Sequence, residues 1–326
     1  MKWETLWYGH HPVVIALLPW SWLFCWLVRL RQQAYRYGLW RSYSVSVPLI
    51  TVGNLTVGGT GKTPLVVWIS QLLRQHGFTP GIISRGYGGR AQCYPQIVDI
   101  NSNSAEVGDE PVLLARQTGC KVAVAPRRLL AAKELVANYA CDVLISDDGL
   151  QHYALRPDIT IAVVDGKRRY GNGHCLPAGP LREPLSRLQD ITFHVCKGEG
   201  FASEFAMQYQ MHWLHQVADN MVKQPLTALS GQTVHALAGI GNPQHFFTQL
   251  REHGLNLHCH EFPDHYHYTP KDIQFADNFP ILMTEKDAVK CQAFATPKLW
   301  YLPITVKLPT SFGTQLLNQL RRIHNG

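Results

Sequence analysis

A lysine and a threonine closing a run of glycines form a combination suited to holding phosphate. In Gly58-Gly59-Thr60-Gly61-Lys62-Thr63 the glycines let backbone N–H groups turn inward around phosphate oxygens. Lys62 can reach β and γ phosphates, and Thr63 can offer its hydroxyl to Mg²⁺. The loop lies between an apolar run, Val47 to Val52, and a helix-patterned stretch from Pro64 to His76, whose N-terminal dipole adds to the site. The usual first glycine, five positions before Gly61, is Thr56 here, so the expected nucleotide-binding segment runs from Thr56 and Val57 through Thr63. A glycine-rich turn with no ligand is a poor account of Lys62-Thr63 in this setting.

A phosphate loop of this kind needs an acidic partner for its metal, usually at the end of an apolar strand. Val143-Leu144-Ile145-Ser146-Asp147-Asp148 supplies one, and Asp147 and Asp148 are expected to hold Mg²⁺ directly or through water. Arg85, in Ser84-Arg85-Gly86-Tyr87-Gly88-Gly89, follows a strand where small residues permit close approach of a substrate, although a surface turn would look the same. Asp109, in Gly108-Asp109-Glu110-Pro111, has a plain reading as a helix cap with proline in the first turn. Arg127 and Arg128 follow a strand, where a residue clamping transferred phosphate would sit, yet paired basic residues are commonly solvated. The run His258, His260, His265, His267 lacks the cysteine or carboxylate spacing of a metal site, and one of its histidines serving proton transfer is the better reading.

The elements that must position these groups alternate. After Val47 to Val52 and the helix to His76 come strands near Gly81 to Ser84 and Ile97 to Asp99, a helix from about Pro111, and a strand at Lys121 to Ala125. A helix at Leu129 to Tyr139 and strands at Asp142 to Ile145 and Ile159 to Val164 follow. This is the pattern of a doubly wound, mostly parallel α/β sheet, here of the P-loop NTPase-like kind. Between about Phe201 and Leu226 the pattern loosens into a connector. It resumes with Val234 to Ile240, a helix at Pro243 to His253, and strands at Leu255 to Glu261, Ile281 to Thr284 and Trp300 to Val306. The expected division is a membrane-associating segment at 1–41, a phosphate-loop domain at 42–200, a connector at 201–226 and a smaller α/β domain at 227–326.

A chain of 326 residues with 46% hydrophobic and 16% charged residues is long enough for two domains and too apolar to be disordered. Its net charge of +7 is uneven: Lys2, Arg29, Arg31, Arg36 and Arg41 against Glu4 place +4 of it in the first 41 residues. That distribution suits acidic lipid headgroups better than a nucleic-acid groove. The eight cysteines form no C-x-x-C pair and read as reduced cytosolic thiols. Pro12 to Val28 carries no charge and interleaves Trp20, Trp22 and Trp26 with apolar residues before Arg29 and Arg31. At 17 residues, with Pro19 interrupting it, this stretch is at the lower limit for crossing a bilayer, and embedding from the cytoplasmic side is favoured over a full span.

Taken in order, six motifs resemble the tetraacyldisaccharide 4′-kinase family of lipid A biosynthesis. They are Gly53-Asn54-Leu55-Thr56-Val57-Gly58-Gly59-Thr60-Gly61-Lys62-Thr63-Pro64, the arginine loop from Ser84 to Gly89, Gly108-Asp109-Glu110-Pro111, Asp147-Asp148-Gly149-Leu150-Gln151-His152, Leu176-Pro177-Ala178-Gly179-Pro180-Leu181-Arg182-Glu183 and Met283-Thr284-Glu285-Lys286-Asp287-Ala288-Val289-Lys290. The likeness runs nearly end to end, and Thr56 is itself part of the family pattern. It implies two α/β domains joined by a β-ribbon, an inner-membrane patch, and transfer of the γ-phosphate of ATP, with Mg²⁺, to the 4′-hydroxyl of a tetraacylated glucosamine disaccharide 1-phosphate. It also implies that Asp109 is the base near the sugar hydroxyl and His265 its partner from the second domain. Lys62, Thr63 and Asp147 would manage phosphate and metal with Asp148 close by, while Arg85 and Arg128 stabilise charge. The expected partners are this lipid substrate and membrane lipids, with no nucleic acid, for a monomer at the cytoplasmic face of a bacterial inner membrane.

Two rivals are weaker. A deviant P-loop ATPase that positions or partitions cargo at membranes shares Gly-Gly-x-Gly-Lys-Thr but carries a lysine just before the glycine pair, where this chain has Val57. A basic nucleic-acid-binding protein would show salt-sensitive retention on nucleic acid with no preference for lipid.

Overall fold

The structure is a computed structural model that describes residues 3–9, 11–264 and 266–324. His265, expected to partner Asp109, lies outside the described residues. Helices α1 (Trp3–Tyr8) and α2 (Val13–Arg36) lead into β1 (Leu49–Gly53), α3 (Lys62–Gln75), β2 (Pro80–Ser84), β3 (Gln96–Val98), α4 (Ser104–Val107), α5 (Asp109–Thr118) and β4 (Lys121–Val124). Next come α6 (Arg128–Tyr139), β5 (Val143–Asp147), β6 (Ile159–Asp165), β7 (Phe193–Lys197), β8 (Phe205–Gln210), β9 (Trp213–Gln216), β10 (Lys223–Pro225) and β11 (Thr233–Ala238). The chain closes with α7 (Pro243–Glu252), β12 (Asn256–Glu261), β13 (Ile281–Thr284), α8 (Glu285–Cys291), β14 (Leu299–Leu302), β15 (Thr305–Lys307) and α9 (Thr310–His324).

Among the described residues, nine strands form one sheet in the order β15-β8-β7-β6-β1-β5-β2-β4-β3, and six form a second, β10-β9-β14-β13-β11-β12. The run from β8 to β4 is parallel, and the edge strands β3 and β15 are antiparallel to their neighbours. Every residue of β1, β2 and β5 is buried, as expected where helices cover both faces of a parallel sheet. β1 lies between β5 and β6, with Val52 opposite Asp147, so the loop leaving β1 and the carboxylates ending β5 share one edge of the sheet. That is where ligands bind in sheets of this kind.

Strands of the connector join both sheets. β8 extends the large sheet beside β7, whereas β9 and β10 pair as a hairpin on the small sheet. The strand expected over Trp300 to Val306 is likewise two strands in two sheets, parted at Pro303, which lacks the N–H a continuous ladder would need. The chain therefore crosses between the sheets twice side by side, with Gln210 opposite Thr305 and His215 opposite Tyr301. After the second crossing α9 packs on the large sheet, not the small one. Phe312 meets Trp68, Phe193 and Phe205 at centroid distances of 5.6, 5.6 and 5.1 Å, and Leu316 and Leu320 are buried on the same face of the helix.

α2 is one continuous helix of 24 residues with Pro19 inside it. Its inner face docks on the large body. Ser21 Oγ donates to the Cys175 carbonyl at 2.7 Å, and Gln32 Nε2 donates to Tyr153 Oη at 2.7 Å. Its outer face leaves Trp20, Trp22, Trp26 and Leu27 more than half exposed.

Candidate active site

The glycine-rich loop is braced before it turns. Thr56 forms an antiparallel bridge with Leu181, Val57 N donates to the Pro180 carbonyl at 2.8 Å, and Arg182 N donates to the Leu55 carbonyl at 2.7 Å. Thr56 is thus an extended, buried residue, so no glycine is needed there. The left-handed backbone falls at Gly58 (φ 111°) and Gly61 (φ 93°), and a Cβ on Gly61 would collide with the Tyr209 hydroxyl. Lys62 opens α3 and donates from Nζ to Asn54 Oδ1 at 3.0 Å, with Asp148 Oδ1 3.3 Å away. Asn54, fully buried, donates back to the carbonyls of Thr56 and Gly58 at 2.8 and 3.3 Å. Sequence reading gave Asn54 no role, although its place between a buried strand and the loop was the available signal.

At the end of β5 the two aspartates differ sharply. Asp147 is buried, its Oδ1 has no hydrogen-bond partner, and burial together with Glu110 and Asp148 pushes its pKa up to about 7. Asp148 has φ of 49°, a strained value for a residue bearing a Cβ, and it faces Lys62 and Arg182, whose Nη1 is 3.0 Å from Oδ2. Burial acts to raise the Asp148 pKa, but Lys62 and Arg182 outweigh it and hold the carboxylate below its usual range. Arg128, buried, donates from Nη2 to the carbonyls of Asp147 and Asp148 at 2.9 and 2.8 Å, so it fixes the backbone turn beneath both carboxylates. Gly149 is required there, because a Cβ would lie 3.0 Å from Arg128 Nη1 and closer still to Ser146 Oγ.

The Asp147 carboxylate held in this way destabilises the fold when it ionises. Its folded pKa lies above the unfolded value, so its contribution is most favourable at low pH and is lost as pH rises through about 7. Asp147→Asn in the unliganded protein is therefore expected to raise Tm by a few degrees at pH 8 and by less at pH 5. Equal destabilisation at both pH values in thermal melts would remove this account of Asp147.

The arginine loop and the Asp109 turn are packed together. A Cβ on Gly89 would strike the Glu106 carbonyl, and one on Gly108 (φ 93°) would lie 2.7 Å from the Tyr87 carbonyl. Arg85 is exposed at the end of β2. It also acts on His152, whose pKa is pushed down to about 4 by burial and by Arg128, Arg31 and Arg85. A basic rim thus runs from α2 across the sheet edge. Arg127 is exposed beside the buried Arg128.

Asp109 opens α5, where a carboxylate suits the helix dipole. Its Oδ2 also lies 3.4 Å from Lys290 Nζ, on α8 of the smaller body. Next to it Glu110 bonds Lys286, one turn earlier on α8. The sequence placed neither lysine in the site. The Thr284 side chain caps α8, and buried Asp287 accepts from Gly239 N at 3.0 Å, which seats the helix against the end of β11 with both lysines toward α5. His258 and His260 lie on β12; His260 is 3.0 Å from His235, which bonds Asp277 at 2.9 Å. No group of three metal-ligating side chains occurs among the described residues.

A loop of turned-in glycines with a lysine, two carboxylates at the end of the neighbouring strand, and an aspartate reached from a second body define a phosphoryl-transfer enzyme. The family model for tetraacyldisaccharide-1-P 4′-kinase matches residues 13–321. The tetraacyldisaccharide 4′-kinase of Nitrosococcus oceani is 53% identical over 97% of this chain and 93% of its own. That of Methylobacillus flagellatus is 49% identical over 98% and 96%. The crystal structure of LpxK from Aquifex aeolicus in complex with ATP superposes with a TM-score of 0.81 at 28% identity, covering 94% of this chain and 99% of that one. The chain belongs to the tetraacyldisaccharide-1-P 4′-kinase family. It is an ATP-dependent kinase acting on tetraacyldisaccharide 1-phosphate in lipid A biosynthesis.

Proposed function

We propose that this P-loop kinase moves the γ-phosphate of ATP to the 4′-hydroxyl of its glucosamine disaccharide substrate at the cytoplasmic face of a bacterial inner membrane, using the residues assembled above. The observation that carries this reading is the meeting of Lys62 with Asp148, beside Asp147 on the same sheet edge, while Glu110 at the start of α5 feels both Lys62 and Asp148 and its neighbour Asp109 pairs with Lys290 of α8. Lys62 and the loop N–H groups from Gly58 to Thr63 bind the phosphates. Thr63 and Asp147, with Asp148, suit Mg²⁺, and the buried Oδ1 of Asp147, which has no hydrogen-bond partner, supports a ligand there. Mg²⁺, when bound, neutralises charge on the β and γ oxygens. Asp109 with His265 receives the hydroxyl proton, and Arg85 and Arg128 provide positive charge at the sheet edge. Lys62 would exchange Asn54 and Asp148 for phosphate oxygens on nucleotide binding.

Membrane contact rests on α2. Because Ser21, Arg31 and Gln32 are bonded to the body, the helix lies along the protein, with its tryptophan face outward. A helix tied down over this length suits the membrane interface better than a span. The deciding experiment incubates purified protein with labelled ATP and the lipid disaccharide 1-phosphate and locates the new phosphate by mass spectrometry and NMR. Phosphate at any hydroxyl but 4′ would refute the proposal. In the same assay a chain lacking residues 1–33 is expected to leave the membrane fraction and to lose transfer to membrane-held substrate much more than ATP binding. Unchanged sedimentation with membranes would move the anchor elsewhere.

A further inference from the structure

Lys286 has a different situation from its neighbour one turn on. Lys290 is enclosed: its side chain is 6% exposed and lies between Asp109 at 3.4 Å and Asp287 at 3.5 Å, with the Tyr268 ring 6.0 Å away. Lys286 is 29% exposed and reaches across from the smaller body to Glu110, itself 37% exposed. Asp147 and Asp264 also act on its ammonium, and Glu110 feels both Lys286 and Lys62. One carboxylate thus stands between the lysine of the phosphate loop and a lysine delivered by the other body.

Resting on the kinase reading above, we propose that Lys286 is a catalytic residue: it leaves Glu110 and contacts an oxygen of the γ-phosphoryl group during transfer. The γ-phosphorus loses its bond to the β–γ bridging oxygen and gains one to the sugar oxygen, whose proton passes to the Asp109–His265 pair. ADP leaves with the bridging electrons. Charge spreads over the three equatorial oxygens in that step, and a mobile ammonium on a four-carbon stem can follow it. Glu110 is the resting partner that keeps Lys286 at the sheet edge without nucleotide. Lys286 comes from the smaller body and Lys62 from the larger, so positive charge reaches the transferring group from both bodies.

The test compares Lys286→Met, Lys286→Arg and Glu110→Gln in the full-length protein. The readouts are kcat with the disaccharide acceptor, affinity for MgADP, affinity for MgADP with aluminium fluoride as a mimic of the transferring group, and Tm. Lys286→Met is expected to lose about 100-fold in kcat and a similar factor in affinity for the mimic, with MgADP affinity within about threefold of the parent. Lys286→Arg should recover at least a tenth of the activity, and Glu110→Gln should lose less than about tenfold. A Lys286→Met loss matched by Glu110→Gln would make the pair a tie between bodies and overturn the proposal. So would a Lys286→Met enzyme that holds the mimic as tightly as the parent. If the parent itself makes no bisphosphorylated product, the kinase reading fails first and separately.

Discussion

Lys62→Ala is expected to lower kcat by about 10²–10³-fold, equivalent to about 2.7–4 kcal/mol of transition-state stabilisation, the range found when one preorganised donor is removed. In the unliganded molecule Lys62 is held 3.0 Å from Asn54 and 3.3 Å from Asp148. It is therefore already aimed at the loop, and little reorganisation is needed to meet the β and γ phosphates. Its removal leaves Asp148 with Arg182, so the fold should survive with Tm nearly unchanged. Steady-state kinetics with a parallel thermal melt checks both parts. Near-normal turnover would dismiss this loop as the active site, whereas lost activity with collapsed Tm would make Lys62 structural.

The second large effect is expected at Asp109. A sugar hydroxyl is a poor nucleophile at neutral pH, and the site must place its oxygen in line with the γ-phosphate and receive its proton. Asp109→Asn keeps the helix start and the size of the side chain but removes the charge facing Lys290. We expect kcat to fall by about 10²–10⁴-fold, the usual range for a general base, with ATP affinity little changed. His265→Ala should do the same, and the double variant should be scarcely worse than the poorer single one, because the two act as one unit. Losses that multiply independently would separate them. If Asp109→Asn lowers only thermal stability, the residue serves the helix dipole and the Lys290 pair alone.

The strand–loop–helix around the glycine-rich loop was legible because its signals are local. Glycines with Lys62-Thr63 after a buried apolar run and before a helical pattern specify a strand–loop–helix whose geometry depends on neighbours a few positions away. Asp147 and Asp148 were visible for the same reason, as acids ending an apolar strand. The contacts of Asn54, Arg182 and Glu110 were not: Asn54 had only its place between a buried strand and the loop as a signal, and nothing local separates an arginine that balances a carboxylate or a glutamate that meets a distant lysine from ordinary polar residues. The single strand expected over Trp300 to Val306 shows a different limit: Pro303 was a local sign that the run is broken, but only the pairing partners show that its two halves belong to two sheets.

The sequence by itself determined the strand–loop–helix around the glycine-rich loop, the alternation of strands and helices, the apolar tryptophan-rich helix and, through six motifs in order, the family. These rest on residue type and short spacing, which backbone sterics and periodic burial translate directly into structure. Only the tertiary structure decided which distant groups meet. Lys286 and Glu110 are 176 positions apart and Gln32 and Tyr153 are 121 apart, and α9 returns to the large sheet after the chain has visited the small one. Such contacts depend on the order of strands in a sheet and the packing of helices upon it, where many near-equivalent arrangements compete and the winner is set by burial summed over the whole molecule.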